Sequence, residues 1–282
     1  MSLMTLGFEA DYARFFAEDD LQGNAFYLNQ LPTDTVECSL KIKSDVMLAG
    51  LPYFVGAFNF LGAELDYNDF KKYEGKNFKK GEVITFKLPF AIALSGERVA
   101  LNLLQQATRI STFTQKFVEI AAGSKTTILD TRKTTPGLRQ LEKYAVRVGG
   151  AHNHRFSQSD AWMIKDNHKT FFGGLEKAWA YFKSMQTYYQ NIIVEIHSLD
   201  ELALAFDLGV EHVMLDNFSK EDLAKAVAMK KAGVTYEVSG GVKLETLKDA
   251  LLEGIDAISI GALTHSAPHI DLSMKLKPVG SK

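Results

Sequence analysis

The sequence predicts an α/β protein in two parts, a mixed α/β N-terminal domain over residues 1–108 and an irregular TIM-like β/α barrel over residues 109–266. Three observations lead there. After Gly123, six short apolar runs alternate with segments of helical spacing, the pattern of a parallel sheet joined by crossover helices. Each run ends in polar or glycine residues, as expected where the C-terminal ends of barrel strands gather a site while the strands stay apolar. The residues before position 97 lack that alternation and mix helical with strand-like stretches.

In chain order, residues 10–18 have helical spacing and residues 36–43 (VECSLKIK) alternate as a half-buried strand. Residues 46–61 are apolar and punctuated by Gly50, Pro52 and Gly56. A lysine-rich turn at 75–81, in which Lys76, Lys79 and Lys80 read as solvated, precedes a strand-like stretch at 83–96. A long helix is expected over 97–121, with Val99, Leu103, Leu104, Ala107, Phe113, Phe117 and Ile120 at apolar positions. It carries the chain into the second domain. The six runs follow at 126–129, 162–164, 192–196, 213–215, 236–238 and 258–260, with helical segments at 174–186, 199–208, 220–232 and 244–252.

Charge is concentrated in one place. Residues 128–169 hold Arg132, Lys133, Arg139, Arg147, His152, His154, Arg155, Lys165, His168 and Lys169, in a chain whose formal net charge is -2. Cations gathered in one cleft repel until an anion joins them, and an anion that binds only the folded chain offsets the cost by mass action. A solvated basic helix face is the bland alternative. The neighbouring Thr-Thr-Pro-Gly turn, the Gly149-Gly150 pair and the apolar runs favour an anion site, because charge beside buried strands is costly.

The run ends supply the remaining chemistry: Asp130-Thr131-Arg132, Lys165-Asp166-Asn167, Glu195 with His197, Asp216-Asn217, Ser239-Gly240-Gly241 and Gly261-Ala262. Glycines at the last two leave backbone N–H groups able to close on a phosphate. Glu195 and Asp216 suit Mg2+ with its waters, or ribose hydroxyls, or salt bridges to the strand-end lysines. No zinc site is expected at His152, His154 and His168, which have no cysteine partner and no HExxH-type spacing. His265 and His269 read as surface residues.

A single cysteine, Cys38, excludes a disulfide within the chain and reads as a small buried hydrophobe in a reducing compartment. No run approaches the ~18 apolar residues that span a bilayer, and the N-terminus lacks a basic stretch followed by an apolar core. No membrane partner and a cytoplasmic location are therefore expected. A second methionine, Met4, suggests that residues 1–3 are added sequence. A nucleic-acid binder spreads charge along a face and raises the pI of the whole domain, so with a pI of about 6.4 the chain is not expected to bind nucleic acid.

The segments DTRKTTPGLRQLEKYAVRVGG (130–150), NHRFSQSD (153–160) and IKDNH (164–168) resemble the quinolinate phosphoribosyltransferase family. So do ERVALNLLQ (97–105), VEIHSL (194–199), LDN (215–217), SGG (239–241) and IGALTHS (260–266), in the family's order. The resemblance implies phosphoribosyl transfer from phosphoribosyl pyrophosphate to quinolinate, with decarboxylation, in NAD biosynthesis. It places Arg132, Lys133, His154, Arg155 and Lys165 around the pyridine dicarboxylate, with Lys133, Lys165, Glu195 and Asp216 in the catalytic group. Glu195 and Asp216 would face the ribose and its Mg2+-bound pyrophosphate, and Ser239, Gly240, Gly241, Gly261 and Ala262 the 5-phosphate. Arg98 matches an arginine reaching in from a neighbouring subunit, so a homodimer or higher homo-oligomer is implied, and residues 267–282 would pack back on the first domain. Two departures are visible. Glu18-Asp19-Asp20 leads into Gly23-Asn24-Ala25 where the family has Gly-Asp-Thr, and Arg109 replaces a small glycine. Alternative readings are a molybdenum-transport-associated relative with another acceptor, and a non-enzymatic barrel that senses a phosphorylated metabolite. The paired Glu195 and Asp216 argue against a passive binder.

Overall fold

The computed structural model describes residues 7–21 and 26–279. Residues 1–4 and the Gly23-Asn24-Ala25 stretch lie outside them. In chain order the elements are α1 (Glu9–Phe16), α2 (Phe26–Gln30), β1 (Thr35–Ile42), β2 (Val46–Met47), α3 (Leu51–Phe60), α4 (Tyr67–Lys71), β3 (Asn77–Phe78), β4 (Val83–Pro89) and α5 (Phe90–Ala121). Then follow β5 (Thr127–Leu129), α6 (Arg139–Val148), β6 (Trp162–Ile164), α7 (Asp166–Phe172), α8 (Leu175–Met185), β7 (Ile192–Ile196), α9 (Leu199–Asp207) and β8 (His212–Asp216). The chain closes with α10 (Lys220–Ala228), β9 (Thr235–Ser239), α11 (Leu247–Ala250), β10 (Ala257–Ser259), α12 (Ala262–His265) and β11 (Leu272–Pro278). It divides into two compact units, one drawn from Met1–Gln115, Thr135–Gly150 and Ala267–Lys282, the other from Lys116–Thr134 and Ala151–Ser266.

The first unit is built on a three-stranded antiparallel sheet of order β11-β1-β4. Val36, Cys38, Leu40 and Ile42 of β1 all face inward, as a period of two requires, and Cys38 is fully buried. The C-terminal strand β11 pairs Leu276 with Cys38, so the end of the chain completes the sheet begun near its start. Phe54, Phe58, Phe70 and Phe86 pack edge to face beneath it, with the 54–58 and 54–86 centroids 5.1 and 5.7 Å apart.

Two elements differ from the sequence expectation. The strand-like stretch at 83–96 is a strand only to Pro89, and its apolar second half forms the first turns of the 32-residue α5. An apolar run serves a buried helix as well as a buried strand, so periodicity does not separate them. Proline closes β4 because it has no N–H to donate, and Phe90 then donates to the Asp34 carbonyl at 2.9 Å. The lysine-rich turn contains β3, which pairs with β2, and Lys79 meets exposed Asp45 at 2.8 Å.

Arg109 has a structural place within this unit. Its Nη1 donates to the Ala267 carbonyl at 2.5 Å and its Nε to Gln106 Oε1 at 2.8 Å. Gln106 Nε2 donates in turn to Glu142 Oε1 at 2.7 Å, and Glu142 Oε2 accepts the Thr135 N–H at 3.2 Å. The start of α3 is held by another carboxylate, half-buried. Glu74 accepts the Gly50 and Leu51 N–H groups at 2.7 and 2.9 Å and the Tyr144 hydroxyl at 2.9 Å. Gly50 sits at φ 100, and a Cβ there would meet Ala107 Cβ at 2.6 Å, so only glycine fits.

The second unit takes the form of six parallel strands in the order β5-β10-β9-β8-β7-β6, in which helices join β6 to β7, β7 to β8, β8 to β9 and β9 to β10. Ile192, Val194 and Ile196 of β7 and Val213, Met214 and Leu215 of β8 are buried, as the near-continuous apolar runs require. A parallel bridge between Leu129 and His152 adds one residue outside β5. Ser198 and Ser219 cap α9 and α10 by accepting the Glu201 and Asp222 N–H groups, each at 3.1 Å, so each helix starts a few residues after its strand ends. Of the expected helix at 244–252, only α11 forms. Among the described residues no helix is long and apolar enough to cross a membrane.

Replacing Glu74 by alanine strands two helix N–H groups and is expected to cost about 2–4 kcal/mol in denaturant unfolding. Burial pushes the Glu74 carboxyl above its ordinary value. A raised carboxyl stabilises the fold most while it is protonated and loses that contribution as pH rises through the folded value. The stability advantage of wild type over Glu74→Gln is therefore expected to shrink as pH rises above the ordinary carboxyl value of 4.5.

Candidate active site

Parallel pairing brings the C-terminal ends of β5 to β10 to one edge of the second unit, and the polar run ends lie along it. Asp130 at the end of β5 is fully buried. Its Oδ1 accepts the His154 N–H at 2.8 Å and its Oδ2 the Asn153 amide at 2.6 Å, which fastens the Asn153-His154-Arg155 segment to the strand end. The turn that follows is closed by Thr131 Oγ1, which accepts the Lys133 N–H at 3.0 Å. Thr264 of α12 donates its hydroxyl to the Lys133 carbonyl at 2.6 Å, and a Cβ on Gly261 would meet Lys133 Cδ at 2.9 Å. Glycine at 261 therefore lets the Lys133 stem lie against the start of α12.

The cations on this edge are incompletely satisfied by the protein. Arg132 Nε is buried without a hydrogen-bond partner. Arg155 donates to the Ala161 carbonyl at 2.7 Å and reaches Met163 Sδ at 3.7 Å. Burial foremost, and then the Arg132 guanidinium, push its pKa below the ordinary value. An anion relieves both conditions at once. His154 is differently disposed: its Nδ1 accepts the Arg155 N–H at 2.7 Å, which leaves the proton on Nε2 to face Glu237 Oε2 at 3.1 Å. Both of its nitrogens are thus engaged, and the ring orients Arg155.

Lys165, at the end of β6, is ion-paired to Glu195 Oε2 of β7. Its N–H donates to His168 Nδ1 at 3.0 Å, so His168 caps the first turn of α7. Beyond Glu195, the Asp216 Oδ2 accepts the Asn217 amide at 2.8 Å. Asn217 adopts φ 56 and donates its N–H to the Ser239 carbonyl at 2.9 Å, and Gly240, at φ 95, leaves room for the Asn217 side chain. A side chain at 240 would strike both that amide and the Asn217 backbone. Ser239 at the end of β9 with Gly240 and Gly241 after it, and Gly261 and Ala262 after β10, therefore occupy adjacent strand ends.

Asp166 and His197 enter the sequence reading only as run-end residues, and Glu237 not at all. Asp166, Glu195 and His197 each offer a ligand atom within 4.8 Å of the others. His197 Nε2 meets Asp166 Oδ1 at 2.8 Å, and the Asp166 carboxyl is held below its ordinary value: burial works the other way, but Lys169 and His197 outweigh it. Glu237 Oε1 is buried without a hydrogen-bond partner. The run ends pointed to Asp166 and His197, but nothing in the spacing separates them from strand caps. A cavity of about 550 Å³ opens here, bordered by Asp166, Lys169, Thr170, His197, Ser198 and Glu201. Arg98 belongs to the first unit, where its side chain is 59% exposed and its Nη2 lies 3.9 Å from Glu97 Oε1.

The chain matches the family models for the quinolinate phosphoribosyl transferase C-terminal domain over residues 110–275 and N-terminal domain over residues 20–108. It is 38% identical to a probable nicotinate-nucleotide pyrophosphorylase (carboxylating) of Bacillus subtilis, over 92% of this chain and 90% of that one. Identity to the human nicotinate-nucleotide pyrophosphorylase (carboxylating) is also 38%, over 85% of this chain and 82% of that one. The crystal structure of NadC from Streptococcus pyogenes superposes with a TM-score of 0.88 at 34% identity, covering 98% of this chain and 99% of that one.

Asp130→Ala leaves the His154 N–H and the Asn153 amide without their acceptor. A loss of about 2–4 kcal/mol in denaturant unfolding is expected, with faster amide exchange at His154 than in wild type.

Proposed function

Because the chain belongs to the quinolinate phosphoribosyltransferase family, we infer that it joins quinolinate to the phosphoribosyl group of phosphoribosyl pyrophosphate and releases pyrophosphate and CO2. The product is nicotinate mononucleotide, a precursor in NAD biosynthesis. One observation ties this chemistry to the described edge: the repelling Arg132 and Arg155 guanidinium groups, with the unpartnered Arg132 Nε, call for a compact anion of more than one charge. Quinolinate carries two adjacent carboxylates. Arg132, Lys133 and Arg155 bind them in this reading, and His154 keeps Arg155 in place.

The ribose and pyrophosphate half falls to Glu195 and Asp216, and the 5-phosphate to the backbone at Ser239, Gly240, Gly241, Gly261 and Ala262. Hard carboxylate oxygens on neighbouring strands fit Mg2+, and the ion pair of Glu195 with Lys165 suits contact through water better than direct ligation by both oxygens. When bound, Mg2+ supplies charge neutralisation to the pyrophosphate. The pyridine nitrogen forms its bond to the anomeric carbon as the bond to pyrophosphate breaks. In this reading the charges of Glu195 and Asp216 stabilise the cationic sugar. Nitrogen then carries the positive charge. When the adjacent C–CO2 bond breaks, its electron pair stays on the ring and is stabilised by that charge until a proton replaces the CO2. Lys133 and Lys165 hold the reacting groups in register, so catalysis rests on position and electrostatics rather than on a covalent intermediate.

Arg98 is assigned to the same pocket in a second copy of the chain, consistent with its exposed and weakly paired guanidinium. A cytoplasmic location fits the absence of a membrane-spanning helix among the described residues.

The assay mixes protein, quinolinate, phosphoribosyl pyrophosphate and Mg2+ and follows CO2 and nicotinate mononucleotide together, with nicotinate as control acceptor. Matched, Mg2+-dependent formation of both from quinolinate alone is expected; absence of both would remove the acceptor assignment. Lys133→Ala and Lys165→Ala are each expected to lower turnover by about a hundredfold or more while remaining folded. Mixing Arg98→Ala with Lys133→Ala protein is expected to restore activity through hybrid oligomers, and no recovery after subunit exchange would place Arg98 elsewhere.

A further inference from the structure

Lys169 is the most buried cation on the strand-end edge, with a side chain only 10% exposed. An ammonium that far from water requires partners, and it has four oxygens within 3.1 Å. They are Asp166 Oδ1 at 3.1 Å, Glu201 Oε1 and Oε2 at 2.8 and 3.1 Å, and the backbone carbonyl of Glu195 at 3.1 Å. His197 is attached at both ends to the same two carboxylates. Its backbone N–H donates to Glu201 Oε2 at 2.9 Å and its Nε2 meets Asp166 Oδ1 at 2.8 Å. The imidazole is thereby held with Nε2 3.6 Å from Glu195 Oε1 and Nδ1 3.7 Å from Asp216 Oδ2. The two carboxylates that anchor His197, those of Asp166 and Glu201, are both held by one ammonium.

We propose that Lys169 is a positioning residue for the phosphoribosyl pyrophosphate half of the site, setting the His197 ring between Glu195 and Asp216 and fixing Glu195 through its carbonyl. This rests on the assignment of Glu195 and Asp216 to the ribose and its pyrophosphate. The physical cause is charge. Without the ammonium, Asp166, Glu195 and Glu201 crowd the end of β7 as like charges, and Asp166, already 64% exposed, turns to solvent and releases His197. Lys169 shares no partner with Arg155, whose guanidinium donates to the Ala161 carbonyl, and it reaches Lys165 only by way of Glu195, so the Arg132 and Arg155 part of the quinolinate half is left in place.

The test measures by calorimetry the dissociation constants of phosphoribosyl pyrophosphate with Mg2+ and, separately, of quinolinate, with the melting temperature of each variant. Lys169→Met is expected to weaken phosphoribosyl pyrophosphate about tenfold, which is about 1.4 kcal/mol, and to change quinolinate by less than about twofold. Glu201→Gln removes one carboxylate of the same network and shifts the same constant in the same direction, and it carries the test if the methionine variant does not fold. Because Lys169 acts through His197, the double variant with His197→Asn is expected to bind phosphoribosyl pyrophosphate within about twofold of His197→Asn alone. Equal weakening of both ligands with a lower melting temperature would make Lys169 merely structural, and unchanged binding in Lys169→Met and Glu201→Gln would remove its role. Asp216→Asn separates the two levels of the argument. If it binds phosphoribosyl pyrophosphate as tightly as wild type, the assignment of Glu195 and Asp216 fails; if it binds weakly while the Lys169 and Glu201 variants bind normally, only the Lys169 proposal is lost.

Discussion

Parallel pairing of six strands is the constraint on which the site depends. Strands that run the same way end on the same edge, so residues 130 to 262, far apart in the chain, become neighbours without any loop having to cross the molecule. The strand interiors supply rigidity through buried Ile192, Val194, Val213, Leu215 and Ile258, and the chemistry sits one or two residues beyond them. Side chains anchored at strand ends inherit the stiffness of the sheet, which charge-based catalysis requires.

Charge on that edge is then sorted by who neutralises it. Lys165 and Lys169 are matched within the protein, to Glu195 and to the Asp166–Glu201 pair. Asp130 is matched by N–H donors from the segment it fastens. Arg132 and Arg155 are left with mutual repulsion and an unpartnered Nε. A chain that neutralises some cations internally and withholds partners from others marks where its ligand's negative charge belongs, because the uncompensated group gains most from binding.

The first unit uses the same devices for stability. Glu74 closes the start of α3 with two hydrogen bonds, and Glu142 does the same for Thr135 through one. Arg109 joins this second chain by way of Gln106 and so occupies a defined place between α5 and the segment at Ala267. A guanidinium presents its donors in a rigid planar fork that meets the Gln106 and Ala267 oxygens together, a geometry that the compact ammonium of a lysine does not reproduce.

The sequence by itself determined the alternating strands and helices, the polar strand ends, and the family to which the chain belongs. Apolar runs of three to five residues and ordered motifs such as DTRKTTPG and KDNH are local properties, written in adjacent positions. Tertiary structure decided what depends on distance across the sheet. That residues 90–96 are helical followed from packing rather than periodicity. The capping role of His168 and the engagement of both His154 nitrogens depended on which atoms the fold brought within about 3 Å. Lys169 is the clearest case: in the sequence it is one more lysine after a histidine, and only the approach of α7, β7 and α9 turns it into a buried cation holding three elements. Spacing along a chain encodes periodicity, whereas the cost of burying a charge, and hence its partner, is set by neighbours that are remote in sequence.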